Sequence, residues 1–317
     1  MSGRTRLALI AGITLSLALA QSGQTTQADP FELFVWRSAD PLFGGLSALE
    51  VSQDGARLTV VSDRGSWGSG TITRDAAGRI AAVAMPPMRI LHGFGTAPLP
   101  EADRDTEGLA IAPDGTAYVS LEGNVRVLAY ADLAGPAKIL PIHRDFRRFR
   151  RNSGPEALAI APDGTLYTLP EESRRPDQPF PVYRYRDGQW DQPFTIPRSG
   201  DFLASGADIG PDGRLYLLER AFHGIQGFAS RVRRFTISGD TIDGGETLFE
   251  TPTGRFDNLE GIAAWRDAQG RIVLTMVSDD NFFLLQRTEL VEIRLPEDPA
   301  APPFAPPSGQ ATLQLPD

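Results

Sequence analysis

Apolar residues alternate with small residues along short segments of the chain, and each segment leads into a turn-forming triplet. Leu109 and Ile111 flank an alanine before one Pro-Asp-Gly triplet, and Leu158 and Ile160 do so before another. A period of two is typical of half-buried β-strands. Pro-Asp-Gly then supplies a fixed φ, a side chain that caps the turn and a residue free to take positive φ. Each segment therefore predicts a β-hairpin.

This hairpin pattern recurs five times, at intervals of 60, 49, 49 and 55 residues between its turn aspartates. Those aspartates are Asp54, Asp114, Asp163, Asp212 and Asp267. More strand-like segments follow the hairpins, and two hairpins per period form a four-stranded sheet, the blade of a propeller. Propeller blades repeat about every 40–50 residues. The sequence therefore predicts an all-β fold, a single-domain β-propeller with five or six four-stranded blades.

Segments outside the hairpins suggest how the ring is completed. Residues 31–37 and 311–316 both read as strands, and we expect them to share a sheet that closes the ring. Residues 86–105 are too long for a hairpin turn and predict a functional loop or an insertion. The proline-rich residues 297–309 predict an extended strap.

The N-terminus has the features of a secretory signal. Arg4 and Arg6 precede an apolar run over residues 7–20, which ends in the small-x-small sequence Ala-Leu-Ala. The run is shorter than the roughly 20 residues that span a bilayer, and no later segment is apolar for that length. We therefore predict a signal peptide at 1–20, a polar leader at 21–30, a folded domain at 31–317, and a periplasmic or secreted protein without a membrane span.

Composition limits the chemistry. The formal net charge is -9, which argues against nucleic acid as a partner because phosphate backbones need a basic surface. The chain has no cysteine and 3 histidines, so thiolate chemistry is excluded and a zinc or copper site is disfavoured. An acidic composition of this kind favours the binding of hard cations. We expect the protein to be a monomer.

One column of the repeat carries candidate chemistry. Seven residues before each turn aspartate stand Ser47, Glu107, Glu156, Ser205 and Glu260. A second acidic set lies at the far end of the hairpins, at Asp63, Glu122, Glu171, Glu219, Asp279 and Asp280. A hairpin starts and ends at the same edge of its blade, so we expect both sets to face one rim of the central channel.

A ring of carboxylate, amide and carbonyl oxygens suits Ca²⁺, which takes six to eight hard ligands. We predict Glu107, Glu156 and Glu260 as catalytic and metal-binding residues, with Asp208 or Asn258 completing the shell. The alternative is structural. Duplication also copies a glutamate that only caps a turn or pairs with an arginine.

A basic segment interrupts the acidic chain at residues 143–152. Guanidinium groups match phosphate or carboxylate oxygens in a bidentate way, so basic side chains beside a Ca²⁺ site would bind a small anionic ester. The candidates are Arg147, Arg148, Arg151, Arg174, Arg220 and His223. The alternative is a solvated loop whose arginines neutralise nearby acids. No G-x-S-x-G motif is present, and no serine triad is visible.

The stretches DTEGLAIAPDGTAYVSLEG, NSGPEALAIAPDGTLYTLPEE and DNLEGIAAW resemble the phytase-like propeller family known as "esterase-like activity of phytase". The resemblance covers about residues 48–295. It implies a β-propeller, a periplasmic or secreted location, and a hydrolase of phosphate or carboxylate esters.

Three functional hypotheses follow. The first is a Ca²⁺-dependent hydrolase of phosphoesters or other anionic esters. The second is a non-catalytic propeller of the cell envelope that binds a ligand or protein through residues 86–105 and 143–152. The third is a lactonase-like hydrolase of sugar acids, which would share the propeller and the single-metal chemistry.

Overall fold

Twenty-three short strands make up most of the computed structural model, which describes residues 29–149, 154–173, 175–283 and 285–296. The predicted signal peptide, the predicted strap and the strand predicted at 311–316 lie outside the described residues. In chain order, the strands are β1 (Phe31–Val35), β2 (Leu46–Val51), β3 (Arg57–Ser62), β4 (Ser66–Arg74), β5 (Ile80–Ala84), β6 (Arg89–Ile90), β7 (Thr106–Ile111), β8 (Ala117–Leu121), β9 (Arg126–Tyr130), β10 (Lys138–Ile139), β11 (Pro155–Ile160), β12 (Leu166–Pro170), β13 (Phe180–Arg186), β14 (Gln189–Ile196), β15 (Leu203–Ile209), β16 (Leu215–Phe222), β17 (Phe228–Phe235), β18 (Ile237–Ser238), β19 (Thr241–Ile242), β20 (Glu246–Glu250), β21 (Asn258–Arg266), β22 (Ile272–Asp279) and β23 (Glu289–Arg294).

The strands form five antiparallel blades around a central channel. Blade 1 contains β2–β5, blade 2 β7–β10, blade 3 β11–β14, blade 4 β15, β16, β17 and β20, and blade 5 β21, β22, β23 and β1. The first strand of each hairpin is innermost, because β2, β7, β11, β15 and β21 contact one another around the ring. The predicted all-β propeller is confirmed, with five blades rather than six.

The ring is closed by the N-terminal strand. β1 pairs antiparallel with β23, so that Phe31 lies opposite Ile293 and Val35 opposite Glu289. Residues 31–35 therefore do complete the last blade, as predicted, and their partner is the third strand of that blade. This pairing of distant parts of the chain gives the last blade four strands, as in the other blades.

The hairpin turns form as their sequence predicts. Asp114 and Asp163 each accept a hydrogen bond from the backbone N–H two residues later, at 2.9 Å. The glycine that follows each aspartate has positive φ, 88° at Gly115 and 84° at Gly164. Other residue types rarely adopt that conformation. The turn triplet thus sets where each innermost strand ends and its partner begins.

The apolar core is divided among the interfaces between blades. Five main clusters of buried apolar side chains each join two neighbouring blades, such as Leu158 with Val127 between blades 2 and 3. Both faces of a blade are therefore covered by its neighbours. Residues 86–105 belong to this packing, since Leu91 and Leu99 are buried between blades 1 and 2. They form an ordered insertion.

Three short 3₁₀ helices, at Glu101–Asp103, Phe146–Arg148 and Gly224–Gln226, lie in loops between strands. Within the described part of the chain, no helix has the length and apolar character needed to cross a membrane.

Candidate functional site

A β-bulge turns one residue of every innermost strand out of the regular pairing. The register shifts fall at Leu46/Ala48, Thr106/Leu109, Pro155/Ala157, Ala204/Gly206 and Leu259/Gly261. A bulge leaves its extra residue unpaired and re-aims its side chain. The skipped positions include the whole predicted column, which is therefore directed into the channel by the same device in each blade. Glu107, Glu156 and Ser205 line the channel.

The second strand of each hairpin passes beside the column. One of its residues lies opposite the residue before the column residue, as Leu121 does with Thr106 and Glu219 with Ala204. The next residue in each blade therefore occupies an equivalent place at the channel opening. These residues are Asp63, Glu122, Glu171, Arg220 and Asp279.

The second acidic set was predicted correctly in four blades and wrongly in blade 4. Glu219 points into its own blade, where it is buried and pairs with Arg231 at 2.9 Å and Arg233 at 2.6 Å. The strand alternates its side chains between faces, so the neighbouring Arg220 takes the place at the opening. An arginine thus stands where the other four blades have an acid.

We call the resulting cluster the mouth of the channel. It brings the guanidinium of Arg220 together with eight carboxyl groups, which influence one another electrostatically around the ring. These are Asp63, Asp105, Glu107, Glu122, Glu156, Glu171, Glu260 and Asp279.

Arg220 neutralises one side of the mouth. Its Nη1 donates to the carboxylate of Glu260 and, at 2.8 Å, to Asn258 Oδ1, and its Nη2 donates to Glu171 Oε1 at 3.1 Å. Asn258 Nδ2 in turn donates to Glu260 Oε1 at 2.8 Å. The predicted site residues Glu260, Asn258 and Arg220 are therefore in contact, and the guanidinium joins blades 3, 4 and 5.

The opposite side of the mouth, on blade 2, holds three acids that lie close to one another. Ligand oxygens of Asp105, Glu107 and Glu122 all lie within 4.8 Å of one another. Glu122 accepts a hydrogen bond from the backbone N–H of Gly154 at 3.0 Å, and Asp105 and Glu107 are hydrogen-bonded to each other. No arginine or lysine among the described residues forms a salt bridge with these three acids.

Burial and mutual repulsion raise the pKa values of several acids at the mouth. Burial is the main cause for Glu107 and Glu156, whose pKa values rise well above the usual range, and neighbouring carboxylates add to the effect. Burial likewise raises the pKa of Asp63 to about 6, that of Glu122 to about 7 and that of Asp279 to about 8. Ionised together, these groups need additional positive charge.

The residues fit a hard divalent cation. Carboxylate oxygens in close groups are the preferred donors of Ca²⁺, and the blade 2 acids supply three without an arginine between them. Neither the carboxylate of Glu107 nor that of Glu156 accepts a hydrogen bond from a backbone or basic group in the described residues, although both side chains are buried. Buried carboxylates that repel one another favour a cation or a proton.

The channel narrows directly below the mouth. The residue after each column residue is glycine or alanine, and the neighbouring innermost strands approach closely at this level. A Cβ atom at Gly206 would lie 2.3 Å from the carbonyl oxygen of Glu260, and one at Gly261 would lie 2.8 Å from Cα of Ala48. A substrate would therefore reach the carboxylates from the mouth only.

Asp208 does not join the mouth. It lies three residues further along β15 than Ser205, which is about 10 Å in a strand. There it accepts a hydrogen bond from Ala264 N at 2.7 Å and interacts electrostatically with Glu50, a residue that the sequence interpretation missed. Glu50 lies three residues after Ser47 and accepts from Ile111 N at 3.0 Å. We call Glu50 and Asp208 the floor pair.

Some of the remaining predicted basic residues lie away from the mouth acids, and the others lie outside the described residues. Arg147 and Arg148 are exposed on a 3₁₀ helix whose Phe146 packs against Tyr183 and Trp190, on the outer strands of blade 3. His223 contacts Thr253 at 2.7 Å and Asp201 at 3.0 Å, in the loops above blade 4. The predicted residues Arg151 and Arg174 lie outside the described residues.

A five-bladed propeller with an acidic mouth at one end of its channel is the class of protein that these observations define. Residues 41–282 match the phytase-like family described as "esterase-like activity of phytase". Since the match covers most of the chain, the protein belongs to this family. The resemblance noted from the repeated hairpins is confirmed.

Several solved structures resemble the fold at low identity. A virginiamycin B lyase from Staphylococcus aureus is 16% identical, with 86% of this chain and 77% of the lyase covered and a TM-score of 0.42. A gluconolactonase from Xanthomonas campestris is 16% identical over 76% of this chain and 69% of its own, with a TM-score of 0.41. An α-L-arabinofuranosidase from Podospora anserina is 11% identical over 82% and 93%, with a TM-score of 0.49. No curated protein matches the sequence. These similarities are too distant to transfer an activity.

Proposed function

We propose that the protein is a Ca²⁺-dependent hydrolase of phosphoesters or other small anionic esters, acting at the mouth of the channel. The proposal rests on the difference between the two sides of the mouth. Three close carboxylates on blade 2 lack a basic partner among the described residues, and Arg220 stands on the other side. A site that presents a cation and an arginine together suits an ester that carries negative charge.

Asp105, Glu107 and Glu122 would hold the ion, and Glu156 and Glu260 border it. When bound, Ca²⁺ supplies positive charge that polarises an ester oxygen and stabilises charge formed in the transition state. The sequence interpretation placed the ion among Glu107, Glu156 and Glu260. The arginine contacts of Glu260 favour the blade 2 side.

Arg220 would orient the anion. A guanidinium has five N–H donors, and the described contacts use both of those on Nη1 and one on Nη2. Donors at Nε and Nη2 remain for a phosphate or carboxylate oxygen. Because Glu171, Asn258 and Glu260 already hold the side chain, binding an anion there costs little side-chain entropy.

Glu156 is our candidate for proton transfer. Its carboxyl group is buried at the channel wall between Glu107 and Arg220, and burial favours the protonated form. A carboxyl group in that position can give a proton to a leaving oxygen or accept one from an attacking water. Replacing it with glutamine keeps the shape of the side chain and removes the titratable proton.

Two measurements test the proposal. Added Ca²⁺ should raise the melting temperature, and EDTA should reverse the rise. Hydrolysis of p-nitrophenyl phosphate and p-nitrophenyl acetate should fall by about a hundredfold in Glu156→Gln, the scale of a lost acid or base. Glu107→Gln should lose both the Ca²⁺ response and the hydrolysis.

Glu50→Gln is the matched control, since it removes a buried carboxylate of the floor pair and leaves the mouth intact. It should keep the hydrolysis and the Ca²⁺ response. Unchanged rates in Glu107→Gln and Glu156→Gln would reject the catalytic role. A clear Ca²⁺ response without hydrolysis of any ester would favour the binding propeller over the enzyme.

A further inference from the structure

An aromatic ring borders the mouth where blade 5 meets blade 1. A Cβ atom on Gly45 would overlap both the ring of Phe282 and the carboxylate of Asp63, one of the mouth acids, so the edge of the ring lies beside that carboxylate. The guanidinium of Arg64 lies over the face of the ring, with its central carbon 3.3 Å from the ring centroid. The mouth therefore has an aromatic face that attracts a cation.

The turn that presents this ring is held in a strained conformation. Phe282 has a φ of 50°, which a bulky residue rarely adopts. Asp280 fixes the turn, because its Oδ1 accepts hydrogen bonds from Phe282 N at 3.0 Å and from Gly45 N, just before β2, at 2.9 Å. Backbone strain persists only where the surrounding structure imposes it. The contacts between blades 5 and 1 thus hold the ring at the mouth.

The mouth acids of blades 1 and 5, Asp63 and Asp279, form no salt bridge with an arginine or lysine of the described residues. Arg64 attracts Asp63 only at longer range. Burial is the main cause of the raised pKa of Asp279, and the charges of Glu260 and Asp63 add to it. The side chain of Asp279 is 4% exposed, and its Oδ1 accepts from Asn281 N at 2.6 Å, whereas its Oδ2 accepts no hydrogen bond from the described part of the chain. A buried carboxylate of this kind favours a cation.

The positive charge at the mouth falls short of its acids. Arg220 and one divalent ion together carry three positive charges, against eight carboxyl groups. Arg220 contacts Glu171 and Glu260, and the proposed ion lies on blade 2. Among the described residues, only the blade 2 acids bring three ligand oxygens within 4.8 Å of one another, which disfavours a second metal ion on blades 1 and 5. Carboxylates beside an aromatic face suit an organic ammonium group instead.

We propose that Asp63, Asp279 and Phe282 bind an ammonium group of the substrate, which is therefore a zwitterionic ester. Its anion lies between the ion and Arg220, and its ammonium group lies against the aromatic ring. Arg64 is exposed and forms no salt bridge among the described residues, so the ammonium group can displace its guanidinium from the ring. The inference rests on the proposed function, because it assigns the ammonium group to the ester of that reaction.

Choline binding tests the ammonium site on the intact protein. Isothermal titration at about pH 8 in Ca²⁺, where the carboxyl of Asp63 with its pKa of about 6 is ionised, should show binding of choline. The neutral isostere 3,3-dimethylbutanol, which has carbon in place of nitrogen, should bind at least about tenfold more weakly. Phe282→Leu removes the aromatic face and should weaken choline binding about tenfold. Phe283→Leu, at the neighbouring ring that is 57% exposed, is the matched control and should leave it unchanged.

Arg64→Met should have the opposite effect. It removes the guanidinium that competes for the ring, so choline should bind more tightly than to the unaltered protein. This variant decides the matter even if Phe282→Leu does not fold, which its melting temperature would show. An unchanged or lower affinity in Arg64→Met, equal binding of choline and its isostere, an equal loss in Phe283→Leu, or displacement of choline by Ca²⁺ would overturn the proposal.

Hydrolysis separates this inference from the proposed function. The kcat/KM for p-nitrophenyl phosphorylcholine should exceed that for p-nitrophenyl 3,3-dimethylbutyl phosphate about tenfold. Equal hydrolysis of the two esters would reject the ammonium site and leave the proposed function standing. Choline binding without hydrolysis of either ester would reject the proposed function and leave the ammonium site as a binding site.

Discussion

The mouth and the floor pair belong to the same ring of hairpins, but their acids have different surroundings. At the mouth, eight carboxyl groups share the guanidinium of Arg220 and open onto one face of the propeller. At the floor, Glu50 and Asp208 each bond the backbone N–H of the next blade, and no basic side chain among the described residues offsets them.

The difference shows that position along a strand decides what can neutralise an acid. The mouth has ligand oxygens close enough to share one ion, so added cations can replace protons there. The floor pair has two carboxyl groups, and each is already bonded to a backbone N–H of a neighbouring blade. Burial raises the pKa of Asp208 to about 7 and raises that of Glu50 well above its usual range. We infer that both groups respond to pH and that only the mouth also responds to cations.

The largest expected effect is the loss of unfolding free energy when Arg220 is replaced. Arg220→Met leaves Glu171 and Glu260 without their cation, and breaking a buried ion pair from one side costs about 3 kcal/mol or more of unfolding free energy. Excess Ca²⁺ should reduce this loss because it supplies charge to the same cluster. Urea unfolding with Ca²⁺ or EDTA measures both. Arg147→Met, on the exposed 3₁₀ helix, is the control. An equal loss in both variants would reject the role of Arg220 in the mouth.

The next effect concerns cation binding and pH together. Ca²⁺ at a hundredfold excess over its dissociation constant should add about 2.7 kcal/mol to the unfolding free energy. Binding must displace protons from acids with raised pKa, such as Glu122 at about 7, so the Ca²⁺ effect should grow as pH rises from about 5 to about 8. Thermal melting across that range measures it. An effect that is constant with pH would show that the ion binds elsewhere.

Without any cation, the floor pair should make the unfolding free energy fall as the pH rises, whereas the Ca²⁺ effect at the mouth should grow. The pKa values of the floor pair are raised in the folded state, so folding binds protons and stability falls as pH rises from about 4, the unfolded value, through about 7. Glu50→Gln with Asp208→Asn should remove this fall, adding on the order of 2 kcal/mol near pH 8 and little near pH 4. Urea titrations at both pH values test it. If the unfolding free energy of the double variant depended on pH as strongly as that of the unaltered protein, the role assigned to the floor pair would be wrong.

The smallest effect concerns a blade without a column glutamate. Ser205 Oγ donates to Leu259 O at 3.2 Å, and Ser205→Ala should cost about 1 kcal/mol for the lost hydrogen bond. The Ca²⁺ response should not change, because blade 4 contributes no acid to the proposed ion site. A weakened Ca²⁺ response in this variant would move the site towards the centre of the ring.

The repeat allowed the column and most of the second acidic set to be predicted, because a duplicated hairpin copies side-chain positions as well as turns. The error at Glu219 came from choosing the nearest acid. Glu122 and Glu171 lie eight residues after their turn aspartates, and the residue eight after Asp212 is Arg220. Asp208 was predicted to complete the shell of the ion, but it lies three residues after Ser205. A separation of three residues in a strand places it about 10 Å away, where Glu50 is its partner.

The hairpin turns, the alternating strands and the spacing of the repeats determine the blades by themselves, since local backbone preferences and hydrophobic period act within about 20 residues. They also determine that five equivalent residues meet at a channel. Only the tertiary structure decided that there are five blades rather than six, that β1 pairs with β23, and that Asp208 lies at the floor with Glu50. Those features depend on contacts between blades and on bulges, and such long-range geometry is not written in any single segment.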